Sequence, residues 1–184
     1  EAFNDLADWG ANSIRVGIGG GSICSTRINT GHGVPTFQSV LDCSRSNREA
    51  KLIADGGIRN AGDIVKALAA GADFVMLGSM LAGTDESPGE IFKSGNKKYK
   101  VYRGMASRSA QLDWRGKSSS PEGVSTTIPY KGSVAEILQD ISGNIKSGFS
   151  YTGVRNLMDL QVKATFLQQT PAGQFESSTH ILRR

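Results

Sequence analysis

The chain has 184 residues, 38% of them hydrophobic, with 21 lysines and arginines against 17 aspartates and glutamates. That length and apolar content can bury one domain-sized core and exclude chain-wide disorder, and charges so interspersed give mild attraction for anionic ligands while excluding a nucleic-acid footprint. No apolar run approaches a membrane span, the N-terminus lacks the regions of a signal peptide, and two cysteines are too few for a disulfide framework, so a soluble, cytoplasmic protein without membrane partners is expected.

Along the chain, residues 1–9 place Phe3, Leu6 and Trp9 on one face of a helix that Gly10 stops, and a β-branched strand follows over 13–18. The next strand is Lys51–Asp55, apolar up to its carboxylate, and a helix over 60–70 ends at Gly71. A third buried strand, 73–77, runs into Gly78-Ser79. Strand and helix alternating at these spacings predict parallel pairing with right-handed crossovers, an α/β architecture. Beyond Glu90 the apolar periodicity fades: residues 91–103 are short, polar and basic, and 104–128 are rich in Ser, Gly and charge, the composition of a lid or linker. Helical spacing returns over 133–145, where Ser133 and Glu136 form a capping box, and the tail from Gln168 reads as polar and extended. Trp9 and Trp114 read as packing residues, and Cys43, behind Leu41 on a helix, as buried and inert.

All three strands end in glycine-rich or polar loops: 19–27, Asp55-Gly-Gly57 and Gly78-Ser79. Ligands of parallel α/β folds bind at such carboxyl ends, although each loop alone is also an ordinary βα turn. Cys24 stands in the first, with Thr26 and Arg27 close behind, either a small buried hydrophobe or a nucleophile whose thiolate Arg27 or backbone dipoles favour. Thr26 can pass a proton only if a carboxylate joins it, and Glu122 is the candidate, its other reading being a solvated loop glutamate. Asp55 suits a ribose diol or a helix N-cap, and the amides around Gly56, Gly57, Gly78 and Ser79 suit a phosphate, so a nucleoside monophosphate meets both demands. His32 and His180 lack metal spacing.

Taken together, Gly-Ile-Gly-Gly-Gly-Ser-Ile-Cys-Ser-Thr-Arg, Ile-Ala-Asp-Gly-Gly-Ile, Val-Met-Leu-Gly-Ser-Met-Leu-Ala-Gly-Thr-Asp-Glu-Ser-Pro-Gly and Tyr-Arg-Gly-Met resemble the IMP dehydrogenase/GMP reductase family from about residue 7 to the C-terminus. The resemblance implies a (β/α)8 TIM barrel, of which this chain supplies about three βα units as the C-terminal part of one catalytic domain, with a mobile flap at 91–130 and a C-terminal tail at 168–184. It implies that Cys24 attacks C2 of a purine nucleotide to form a thioimidate. Phosphate contacts would come from Ser22, Gly57, Gly78, Ser79 and Tyr102, ribose contacts from Asp55, and base contacts from Met105, Ala106 and Glu122, with Ala106 replacing a glycine common in the dehydrogenases. Backbone carbonyls of Gly19, Gly21 and Cys24 match the family's monovalent-cation (K+) loop, which Glu176, Ser177 and Ser178 of a neighbouring subunit would complete in a tetramer.

Within the family, dehydrogenases hydrolyse the intermediate with an Arg-Tyr pair on a longer flap, and no such dipeptide occurs between Tyr102 and Glu122. Thr26 and Glu122 match the reductase pair instead, so the resemblance implies NADPH-dependent reductive deamination of GMP to IMP and ammonia. The tail 173–180 looks more like the dehydrogenases, which keeps oxidation of IMP to XMP with NAD as the alternative, beside a non-catalytic nucleotide-binding fragment. A complete barrel takes roughly 250 residues, so the chain is expected to need an N-terminal barrel portion, to be inactive alone, and to leave its dinucleotide-binding residues outside this sequence.

Overall fold

The computed structural model describes residues 1–179 and 181; His180 of the expected tail lies outside them. Helix α1 (Ala2–Asp8) leads into β1 (Ser13–Val16), followed by α2 (Thr26–Thr30), α3 (Thr36–Cys43), β2 (Lys51–Asp55), α4 (Ala61–Ala69) and β3 (Phe74–Met76). The three strands form one parallel sheet in the order β1-β2-β3, with Ile14 opposite Leu52 and Ala54 opposite Val75. Strand alternation turns Ile14, Val16, Leu52 and Ala54 into a core shared with Phe3, Val40 and Ala67, so the helices hold one face of the sheet. The α/β reading and the parallel pairing stand.

Three details differ from expectation. On α1 Phe3 is buried and Ala7, one turn on, packs against the same core, so Leu6 points outward and Trp9 is 79% exposed. Strand β3 has no partner on its far side among the described residues; only Val75 turns into the core, and Phe74 stays 58% exposed. Trp114 is 57% exposed, with the Arg115 guanidinium 4.2 Å from its ring centre, and so packs no core.

The 91–130 excursion is ordered. It folds as a second, antiparallel sheet of β4 (Ile91–Ser94), β5 (Lys97–Arg103) and β6 (Ser125–Pro129), with α5 (Arg108–Arg115) between the last two. Ser94 pairs with Lys97 around a two-residue Gly95-Asn96 loop with Gly95 at φ +60°, the type II′ hairpin pattern. Ser107 caps α5 by accepting from the Ala110 amide.

The remaining helices are α6 (Val134–Thr152), α7 (Leu157–Lys163) and α8 (Pro171–Glu176). Helix α6 runs seven residues past the expected end at 145, packing on α4 through Ile141 and Ile64. No capping box forms at its start: Ser133 accepts from Ala135, and Glu86 from the loop between β3 and β4 takes the Val134 amide at 2.8 Å. The Val134 amide, with the Ser133 hydroxyl beside it, holds the Glu86 carboxyl below its usual range. The expected extended tail contains α8, which Thr170 caps and Pro171 opens at the first helical position. Among the described residues no helix is long and apolar enough to cross a membrane.

Candidate active site

The site begins where β1 and β2 end side by side. The Gly57 amide donates to the Gly20 carbonyl at 2.8 Å, joining the two glycine loops. At Gly17 the backbone sits at φ +130°, and an added Cβ would stand 2.0 Å from the Asp55 carbonyl oxygen. Gly17→Ala is therefore expected to cost the full-length enzyme on the order of 2–4 kcal/mol of stability, read as a drop in the urea midpoint; an unchanged midpoint would show that the loops relax freely.

The first loop delivers Cys24 with Thr26 just behind it, and the segment leading into β6 delivers Glu122. Residues 122–124 lie between the Cys24 loop and the turn before α5, with Gly123 bridged to Cys24 on one side and to Ser107 on the other. The Ser25 amide donates to Glu122 O at 2.8 Å, the Val124 amide to Ile23 O at 3.0 Å, and the Glu122 amide to Ala106 O at 3.1 Å. Asn29 of α2 donates to Pro121 O, and Gln111 of α5 spans Ala106 O and the Ser119 amide. This stitching brings residues 96 positions apart into one line: Cys24 Sγ donates to Thr26 Oγ1 at 3.1 Å, and Thr26 Oγ1 donates to Glu122 Oε2 at 2.6 Å. A thiol, a hydroxyl and a carboxylate in this order can carry a proton away from sulfur and return it.

A cleft of about 340 Å³ opens over the thiol, lined by Gly19, Gly21, Cys24, Asp55, Met105, Ala106 and Glu122 among others. A smaller lobe of about 140 Å³ adjoins it, sharing Gly20, Gly21 and Asp55 and adding Ser22, Gly57, Gly78, Ser79 and Tyr102. Every residue expected at base, ribose or phosphate thus lines one of two connected cavities. Tyr102 OH reaches Ser22 Oγ at 3.3 Å, closing the smaller lobe. Cys43 lies elsewhere, and burial pushes its thiol pKa up, which keeps it protonated and unreactive.

Some expectations need correction. Arg27 does not serve the thiol: its guanidinium donates to the carbonyls of Ile18 and Val34 and holds the loop's shape. Asp55 is not a helix cap, because Asn60 caps α4; its carboxylate instead pairs with Arg15 at 3.2 Å inside the cleft. Glu176, Ser177 and Ser178, expected to serve the loop of a neighbouring subunit, stand apart from both cavities of their own chain, and both serine hydroxyls donate within the end of α8. The carbonyls of Gly19, Gly21 and Cys24 are neutral oxygen donors of the kind that fit an alkali cation, although Gly21 O also accepts the Cys24 amide. Arg15, Asn29, Arg59 and Gln111 were missed; only strand alternation, which places Arg15 on the face of Asp55, carried a signal.

A further cavity of about 830 Å³ lies behind the glycine loops between α3 and α4, where Phe37 meets Phe166 edge-on. It includes neither Cys24 nor Glu122, but it backs onto the site through Gly20, Gly56 and Gly57.

A family model described as the IMP dehydrogenase / GMP reductase domain matches residues 1–180. The chain belongs to the IMP dehydrogenase/GMP reductase family. It is 45% identical to a GMP reductase of Leishmania major over the whole of this chain and 40% of that protein. It is 43% identical to an inosine-5'-monophosphate dehydrogenase of Nitrosopumilus maritimus over 98% of this chain and 41% of that one. A crystal structure of a GMP reductase from Trypanosoma brucei in complex with guanosine 5'-monophosphate superposes with a TM-score of 0.93 at 43% identity, covering 97% of this chain and 38% of that chain. The chain therefore spans about 40% of the length of the relatives it matches, and its three-stranded parallel sheet is consistent with part of a TIM barrel. The family implies a nicotinamide cofactor. Among the described residues, the two cavities offer one phosphate lobe and one strand-end carboxylate, Asp55, which fit one nucleotide and not a dinucleotide beside it.

Proposed function

We propose that the enzyme containing this chain is a purine nucleotide oxidoreductase that converts GMP to IMP and ammonia with NADPH. The observation that carries this reading is the unbroken line from Cys24 Sγ through Thr26 Oγ1 to Glu122 Oε2. The phosphate sits in the lobe of Ser22, Gly57, Gly78, Ser79 and Tyr102, the ribose diol displaces Arg15 from Asp55, and the purine lies under Met105 and Ala106 against the thiol. Cys24 gives its proton through Thr26 to Glu122 and attacks C2. As the C2–N bond of the exocyclic amine breaks, the same proton returns through Thr26 to that nitrogen and ammonia leaves, so the exchange of amine for thiolate balances. Glu122 ends the step ionised, as it began.

The same proposal includes the rest of the expected assembly. Residues 91–130 act as a flap over the nucleotide, and the N-terminal barrel portion closes the exposed edge of β3 and holds the nicotinamide. K+ would rest on the carbonyls of Gly19, Gly21 and Cys24 and hold the loop, with Glu176–Ser178 of a neighbouring copy in a homotetramer completing the shell. Relatives named IMP dehydrogenase support a second reading, oxidation of IMP with NAD. The full-length enzyme separates them: GMP with NADPH should oxidise NADPH and release ammonia, while IMP with NAD should give no comparable NAD reduction. The reverse pattern would establish the dehydrogenase reading.

A further inference from the structure

Lys100 is a buried charge that the chemistry of the cleft leaves unused. It lies on β5 with 3% of its surface exposed, and none of the ion pairs among the described residues includes it. Its ammonium donates instead to three carbonyls, Thr84 at 2.7 Å, Asp85 at 3.3 Å and Ser87 at 2.7 Å. All three N–H groups are spent on one short loop. Glu86 acts on the ammonium from beyond ion-pair distance; burying a cation with no carboxylate in contact is expensive, and an apolar side chain would fill the space more cheaply if packing were the only need.

What the bonds secure is the relation between β5 and the phosphate lobe. Lys100 and Tyr102 are two apart on a strand, so they share a face, and both are less exposed than Val101 between them. Tyr102 OH reaches Ser22 Oγ and lies 3.5 Å from where a Cβ on Gly78 would stand. The loop that Lys100 grips continues directly from Gly78-Ser79. Further bonds clamp the same stretch: Tyr130 OH donates to Asp85 Oδ1 at 2.7 Å, the Lys131 amide to Gly83 O at 2.9 Å, and Lys131 Nζ to Ser79 O at 2.8 Å.

We infer that Lys100 is a positioning residue for phosphate recognition: it fixes the Tyr102 hydroxyl against the Gly78-Ser79 turn, so that β5 and the strand-end loop grip the phosphate together. It does not touch the nucleotide. The inference rests on the cleft being a GMP site, and the test uses the full-length enzyme with GMP and guanosine as equilibrium ligands. Lys100→Met is expected to weaken GMP about tenfold, as for loss of one charge-assisted hydrogen bond, and to leave guanosine unchanged. Tyr102→Phe should behave alike, and the double variant should bind GMP no more than about twofold more weakly than the poorer single variant, because both remove one interaction.

Equal losses for GMP and guanosine, or losses that multiply in the double variant, would overturn the inference. If Lys100→Met does not fold, Tyr130→Phe takes its place on the surface, with a loss for GMP of about threefold, as for a neutral hydrogen bond, the same indifference to guanosine and the same failure to multiply with Tyr102→Phe. Wild-type enzyme that binds neither ligand would sink the nucleotide reading itself, a result distinct from wild-type binding that Lys100→Met leaves unaltered.

Discussion

Replacing Cys24 by alanine in the full-length enzyme should lower turnover by about 10⁴-fold or more while leaving GMP affinity within a few-fold of wild type. The thiol lines the cleft at its edge rather than filling it, and its own hydrogen bond runs away from the cavity to Thr26, so removing sulfur deletes the bond-forming atom and little binding surface. An electrophilic probe gives the positive counterpart. 6-Chloropurine ribotide should add to wild-type enzyme at Cys24 with loss of chloride, readable by mass, and should leave Cys43 unmodified because burial keeps that thiol protonated. An alanine variant with near-normal turnover, or an adduct mapped to Cys43, would dispose of the nucleophile.

The second large effect concerns Glu122. Glu122→Gln keeps the size of the side chain and an acceptor for the Thr26 hydroxyl, but an amide cannot take up the proton that the 2.6 Å contact is built to pass. General acid–base assistance of this kind contributes about 10²–10⁴-fold, so ammonia release in a single turnover should slow by that factor while GMP binding stays close to normal. Thr26→Val, which interrupts the line one atom earlier, should cost a similar amount, and the two changes together should cost little more than either alone because they break one path. Ammonia release at the wild-type rate in Glu122→Gln would assign the carboxylate to structure alone.

How much of this was legible in the sequence follows from the range of each interaction. The parallel sheet could be read from Lys51–Asp55 and the helix after it, since apolar periodicity and glycine stops are local signals. The second sheet could not be read as easily. Strand β4 is exposed along its length, β5 is lysine-rich with Lys100 as its one buried residue, and β6 is mostly exposed, so neither face shows clean apolar alternation, and the one clear local cue, Gly95-Asn96, marks a hairpin only once the flanking strands are accepted. Trp9 and Phe74 misled for another reason: residue type predicts that a large apolar side chain seeks cover, not which surface supplies it. At the site, the motif residues line two adjoining cavities because each glycine-rich strand end is encoded within its own loop. Arg27 and Asn29 were misjudged or missed because their partners, Val34 O and Pro121 O, are backbone atoms that no side-chain pattern announces.

Gly123 has a bearing on when the thiol can react at all. Because it is bridged to Cys24 on one side and to Ser107 on the other, the segment that carries Glu122 forms a short ribbon with the nucleophile's own loop. Any movement that lifts residues 122–124 from Ile23–Ser25 must break the Ser25 and Val124 amide bonds and, with them, the contact between Thr26 and Glu122. On the proposed mechanism, opening the cleft and disarming the cysteine would then be one event: the bonds that hold residues 122–124 down are the ones that keep Glu122 within reach of Thr26, so the fold would work as an interlock.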